Sequence, residues 1–183
     1  MTGRGTADDG GTASGRVTRR LRLVPAGPAL AEDLLVLHHD PGVARWYGGA
    51  WDEARVRRYA ELAGRAWATE GVHKWLAYDR ADNTLIGRGG LAYKEVDGAR
   101  RLEVGWALRE RFWGQGYATE IGAAGLAMAF GELAATEVVS FTEPHNRRSR
   151  AVMERLGFVF QREIRYEGEP FVLYALTAKQ AAG

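Results

Sequence analysis

The chain has 183 residues, 46% of them hydrophobic, enough to build one domain with a full core. Its 25 Lys and Arg against 23 Asp and Glu leave a net charge of +2, so no broad positive field recruits nucleic acid. It has no cysteine, hence no disulfide framework, and no apolar run long enough to span a bilayer, so the expectation is a cytoplasmic protein that engages no membrane.

Taken in chain order, residues 1–15 are mostly Gly, Thr, Ala, Ser and Asp and read as a disordered tail ahead of a single domain over 16–183. Val17 to Val24 reads as a first strand with Leu21 and Leu23 on one face. Pro25 and Gly27 end it, and Pro28 suits the first turn of a helix that carries Leu30, Leu34, Leu35 and Leu37 and stops before Asp40-Pro41-Gly42. Asp52 is a good N-cap for a second helix whose apolar stripe is Val56, Tyr59, Ala60, Ala63 and Trp67. Strands follow over 74–78 and 85–95, and Asp97-Gly98 is a hairpin turn into a strand over 101–108. A helix over 120–133, a strand over 137–142 and a helix over 147–156 come next. Two last strands, 158–166 and 171–176, are joined by Glu167-Gly168-Glu169-Pro170.

The segment Arg111-Phe112-Trp113-Gly114-Gln115-Gly116-Tyr117-Ala118-Thr119 sits between a predicted strand and a predicted helix. At such a turn the first helical amides lack intrahelical partners and the helix dipole is positive, so a phosphate group is welcome there. A dinucleotide fingerprint wants a third glycine near Thr119 and a following βαβ unit; a Walker loop ends in Gly-Lys-Ser/Thr. Neither is present. A second segment, Glu143-Pro144-His145-Asn146-Arg147-Arg148-Ser149, leads through a short helix to Leu156-Gly157-Phe158.

With Arg111-x-x-Gly114-x-Gly116 upstream and the Asn146-to-Phe158 segment downstream, the chain from Val17 to Leu176 resembles the GNAT N-acetyltransferases, in particular their RimJ/RimL-type branch. Arg20-Leu21-Arg22-Leu23, Asp40-Pro41 and Trp113-Gly114-Gln115-Gly116-Tyr117-Ala118-Thr119-Glu120 fit the same branch. The resemblance implies an α/β fold with a mixed, mostly antiparallel sheet flanked by helices, and acetyl-CoA as the acetyl donor. It also implies a small-molecule or peptide amine as acceptor, and it is compatible with a homodimer. It places the coenzyme on Trp106, Ala107, Leu108, Arg111, Trp113, Gly114, Gln115, Gly116, Tyr117, Ala118 and Thr119, with Asn146 and Ser149 contributing from the second motif. Arg147, Arg148 and Arg150 either reach the coenzyme phosphates or form a solvated helix face.

Glu103 is the candidate base, with an ion pair to Arg101 as its structural alternative. Freeing a lysine amine, pKa ~10.4, of its proton costs roughly 4 kcal/mol at neutral pH, whereas freeing an α-amine near ~7.7–8.0 costs roughly 1 kcal/mol. A single glutamate therefore suits an α-amine better. Many family members carry a tyrosine acid seven residues after the Asn; here that position is Met153, which has no proton to give, so Ser149 is the candidate acid, with helix capping as the alternative. Without a cysteine, transfer is direct within a ternary complex. Trp46, Tyr47 and Trp51 are expected to wall the acceptor site, unless Trp46 or Trp51 staples the helices to the core, and Glu167 and Glu169 offer negative charge nearby. No metal is expected: adjacent His38 and His39 point to different sides of a helix, and of the histidines only His145 lies near the expected cleft. An aminoglycoside N-acetyltransferase and a non-catalytic acyl-coenzyme-A-binding module are the alternative functions.

Overall fold

The computed structural model describes residues 15–183; the tail expected over 1–15 lies, but for Gly15, outside them. One eight-stranded sheet runs β1 (Arg16–Val17), β2 (Leu21–Pro25), β3 (Lys74–Asp79), β4 (Leu85–Val96), β5 (Ala99–Leu108), β6 (Glu137–Thr142), β8 (Glu169–Thr177) and β7 (Val159–Tyr166) in spatial order. All neighbours are antiparallel except β5 and β6. The mixed, mostly antiparallel sheet expected from the resemblance is therefore the one observed.

Helices cover both faces. On one face α1 (Ala31–His38), α2 (Pro41–Ala44) and α3 (Glu53–Glu70) bury Leu34, Leu37, Val43, Val56 and Ala60 against Leu76, Tyr78, Leu85 and Ala107 of the sheet. On the other, α4 (Tyr117–Ala127) and α5 (Arg147–Arg155) pack Tyr117, Ile121 and Met153 against Trp75, Ile86, Leu91 and Val104. A third cluster of Val96, Val139, Ile164, Leu173 and Ala175 holds the β6–β8–β7 end. Because β3 and β4 lie between these helical layers, Trp75, Leu76, Ala77, Ile86 and Leu91 are all fully buried, on whichever face they fall.

Three boundaries differ from the sequence reading. The first strand is two: Thr18 and Arg20 form a tight reversal between β1 and β2, where the Glu120 carboxylate accepts from the Thr18 hydroxyl (2.5 Å) and from the Arg20 amide (2.8 Å). Asp40-Pro41-Gly42 does not only stop α1; the Asp40 carboxylate accepts from the Gly42 amide and caps the short α2. The helix after the glycine turn starts earlier than expected, at Tyr117, and ends in a π-type turn, Met128–Glu132; a short helix α6, Ala178–Ala181, follows β8. Asp52 caps α3 through the Arg55 amide at 2.7 Å, as expected.

Candidate active site

Strands β5 and β6 run parallel, and their register joins them at Glu103 and Val139. Beyond that point Gly105–Leu108 on one side and Ser140–Thr142 on the other both line a single cleft of about 1410 Å³. The sheet is thus split from that pair onward, and Glu103 stands at the apex of the split.

At one end of the cleft is the glycine turn. Gly114 and Gly116 both have left-handed backbones, φ 75° and 81°, which a side chain would strain, so the glycines set the shape of the loop. The Glu120 amide donates to Gly116 O at 3.1 Å and closes the first turn of α4, which leaves the amides of Tyr117, Ala118 and Thr119 outside the helical ladder. Arg20 braces this turn. Its Nε ion-pairs with Glu120 at 2.7 Å, its guanidinium donates to Gln115 O at 2.9 Å, and it lies 4.1 Å from the centre of the Tyr117 ring. Arg148, stacked on Trp113 at 4.8 Å, and Arg155, bonded to Thr119 at 3.2 Å, also line the cleft.

Arg111, the first cation the resemblance places here, stands outside the cleft lining. It is exposed and lies over the Phe112 ring, and the Gln115 side chain turns back to donate to Arg111 O. Arg150 holds Pro144 O and the Tyr174 hydroxyl, which makes it structural. Arg147 and Arg150 do not line the cleft, whereas Arg148 and Arg155 of the same helix do. Trp106 and Leu108 pack their side chains against the α4 side of the core while both residues line the cleft.

On the second motif, the Asn146 carboxamide accepts from the Ser149 amide at 3.1 Å and caps α5, while its NH2 donates to the Thr142 hydroxyl at 3.0 Å. Ser149 is half-buried in the cleft wall, and Met153 is buried beneath it. Trp46 faces this motif across the cleft, stacked on His145 with ring centres 5.3 Å apart.

Glu103 has a partner that sequence spacing did not reveal. Arg101 pairs with Glu137 at 3.2 Å, so the expected Arg101–Glu103 bridge does not form. Instead Lys74 Nζ donates to Glu103 Oε2 at 2.6 Å and to Gly90 O at 2.7 Å, and both side chains are over nine-tenths buried. Burial lowers the Lys74 pKa to about 8, against the raising effect of Glu103. Gly105 makes room for the pair: a Cβ there would lie 2.3 Å from Glu103 Oε1.

Beyond the pair lies a buried polar cluster. Arg88, 6% exposed, donates from Nε to His38 Nε2 at 3.1 Å and is surrounded by the rings of Tyr59, Tyr47 and Trp51 at 5.0, 5.1 and 5.8 Å. Trp51, 6% exposed, stacks on His38 at 3.5 Å. It therefore staples α1 to the core, and it also lines the cleft. Burial drives the pKa of His38 down to about 2 and of His73 to about 3, so both are neutral at pH 7. Glu167 and Glu169 line the cleft mouth beside Tyr166.

A family model described as an acetyltransferase (GNAT) domain matches residues 20–159. The uncharacterized protein YkkB of Bacillus subtilis (strain 168) is 28% identical over 139 residues, covering 76% of this chain and 81% of that one. The FsC-acetyl coenzyme A-N(2)-transacetylase of Aspergillus fumigatus is 33% identical over 150 residues, 76% of this chain and 63% of that protein. Among solved structures, the microcin C7 self immunity acetyltransferase MccE, in complex with acetyl-CoA and AMP, superposes with a TM-score of 0.72 at 18% identity, over 91% of this chain and 97% of that one. Its likeness is one of fold. With the family model spanning most of the chain and both of its motifs, this chain belongs to the GNAT acetyltransferase family.

Proposed function

We propose that this protein is a cytoplasmic N-acetyltransferase of the RimJ/RimL type that passes an acetyl group from acetyl-CoA to a primary amine of a small molecule or peptide. The observation that carries this reading is the split of β5 from β6, which opens one cleft from the glycine turn to the buried Glu103. GNAT acetyltransferases use acetyl-CoA, and the residues here fit it. Two left-handed glycines at a helix N-terminus leave amide donors outside the ladder, and Arg20 and Arg148 stand beside them for the pyrophosphate. The exposed backbone edge at Trp106, Ala107 and Leu108 suits the pantetheine arm.

When bound, acetyl-CoA supplies a thioester whose carbon–sulfur bond breaks as the new carbon–nitrogen bond forms. Glu103 Oε1, left over from the Lys74 bond, accepts the proton of the incoming amine through water. Lys74, by donating to its Oε2, fixes the direction of the carboxylate. Ser149, next to the Asn146 cap, gives a proton to the departing sulfur. Trp46 and Tyr47 form the outer wall where the amine enters.

Thiol release from acetyl-CoA, with mass analysis of the acceptor, tests the reading on a panel of peptides, amino acids, polyamines and aminoglycosides. The expected result is thiol release matched by one acetyl group on the amine nitrogen. Tight coenzyme binding without acceptor-dependent release would make the protein a binding module.

A further inference from the structure

We infer that the pocket around Arg88 receives a carboxylate carried by the acceptor, so that the substrate is an amine bearing a carboxylate. The inference rests on the acetyltransferase reading and names its substrate class. Three independent observations lead to it.

The first is an arginine without a counter-ion. Arg88 is buried, yet among the described residues no carboxylate lies within ion-pair distance of it. Glu103 is close enough to act on it electrostatically but is bonded to Lys74. A buried charge held by a neutral imidazole and aromatic rings but by no counter-ion is costly, and a ligand anion at this place reduces that cost.

The second is the charge balance. Lys74 and Glu103 cancel, and His38 and His73 are neutral at pH 7, which leaves one positive charge in the buried cluster. One guanidinium matches a monoanion such as a carboxylate better than a phosphate dianion. It also opposes a polycationic drug, which weakens the aminoglycoside alternative.

The third is the set of orphaned polar atoms. Six buried side-chain atoms of the described residues have no protein hydrogen-bond partner, and four of them belong to this cluster: His38 Nδ1, Trp51 Nε1, Tyr59 Oη and His73 Nδ1. Trp51 Nε1 can only donate. His38 accepts from Arg88 at Nε2, so as a neutral imidazole it carries its proton on Nδ1 and donates there too. Tyr59 has a hydroxyl to give. Trp51, Tyr59, His73 and Arg88 all line the cleft, with His38 stacked behind Trp51. Three groups of this wall, Trp51 Nε1, the Tyr59 hydroxyl and the Arg88 guanidinium, can donate, which is complementary to a group made of acceptors, and a carboxylate is acceptor-only.

The test compares acids with their amides. Leucine and phenylalanine are assayed against leucinamide and phenylalaninamide, with rates expressed per unprotonated amine, and phosphoethanolamine against ethanolamine serves as the phosphate arm. The acids should be preferred about 10- to 100-fold in kcat/KM, the range of a charge-assisted hydrogen bond, and in Arg88→Met the acid-to-amide ratio should fall to near one. A readout free of turnover titrates N-acetyl-leucine and its amide into the coenzyme-A-loaded protein by calorimetry, with the acid binding at least about 10-fold tighter. Should Arg88→Met fail to fold, the wild-type ratio and titration still decide. Equal treatment of acids and amides in the wild type, or preference for the phosphate, overturns the carboxylate site while leaving acetyl transfer standing. An absence of turnover with every amine overturns the acetyltransferase reading alone, because the titration still reads the pocket.

Discussion

The two ends of the cleft are built by opposite strategies. The coenzyme end is made of backbone: two glycines with φ 75° and 81°, free helical amides, and arginines that lean on it, Arg20 half-buried and Arg148 exposed. The acceptor end is made of side chains. Lys74, Arg88 and Glu103 sit buried among His38, Trp51, Tyr59 and His73. A backbone site depends on local conformation and tolerates change in its side chains; a side-chain site depends on charge balance in a dry interior and does not. The energetic consequences of mutation should divide along this line.

The largest effect is expected where charge is buried. Lys74→Met leaves the Glu103 carboxylate buried and alone, which should destabilise the fold by about 3–5 kcal/mol. Adding Glu103→Gln removes the orphan, so the double variant should return to within about 1 kcal/mol of the wild type. Urea unfolding of the two singles and the double gives the coupling directly. Additive losses would mean that the pair contributes no mutual stabilisation and that the contrast between the two ends is misplaced.

A somewhat smaller effect separates the ends by pH. The pKa values of His38 and His73 are held at about 2 and about 3 in the fold, below an ordinary value of 6.5. Below pH 6.5 the unfolded chain binds these protons and the native chain does not, so stability is full above that pH and falls as the pH drops toward 3. Each histidine contributes up to about 1.4 kcal/mol per pH unit, so the two together cost roughly 2–3 kcal/mol between pH 6 and 5. His73→Gln should remove about half of that slope. An unchanged slope would place the acid sensitivity in groups outside the acceptor end.

At the coenzyme end the expectation is strain rather than charge. Gly116→Val forces a β-branched residue to φ 81°, at a cost of about 1–3 kcal/mol, and should also weaken acetyl-CoA binding by about 10-fold or more. Gly98→Val, in the β4–β5 hairpin at φ 73°, is the control, with open space around its new Cβ. It should lose similar stability with no loss of coenzyme affinity. Equal affinity losses in both variants would make the effect general loosening.

The same division explains what the sequence revealed. The glycine turn occupies nine consecutive residues, so its strand–turn–helix context is readable locally, and the Asp97-Gly98 turn likewise follows from residues that accept positive φ. The acceptor cluster draws on residues 38, 51, 59, 73, 74, 88 and 103, which only the assembled sheet and helices bring together. Arg88 did carry a local signal. A lone charge in Leu85-Ile86-Gly87-Arg88-Gly89-Gly90-Leu91, a strand apolar on both faces, implies a buried cation in need of partners. Lys74 had no such mark, since it opens its strand, where a lysine passes for a solvated end. Sequence pattern alone places Arg20 within one continuous opening strand, because Glu120, which turns it toward the glycine loop and holds the reversal between β1 and β2, is 100 residues away.

The central claim is that Glu103 takes a proton from the acceptor amine at the apex of the split sheet. The most direct test is the pH–rate profile of the wild type against the Lys74→Met/Glu103→Gln double variant, in which no neutral lysine can stand in for the missing carboxylate. The rate ratio should be largest below the pKa of the acceptor amine and shrink as the pH rises past it, where the free amine no longer needs a base. A ratio that stays constant at every pH would remove Glu103 from proton transfer and leave the pair as a structural support of the cleft.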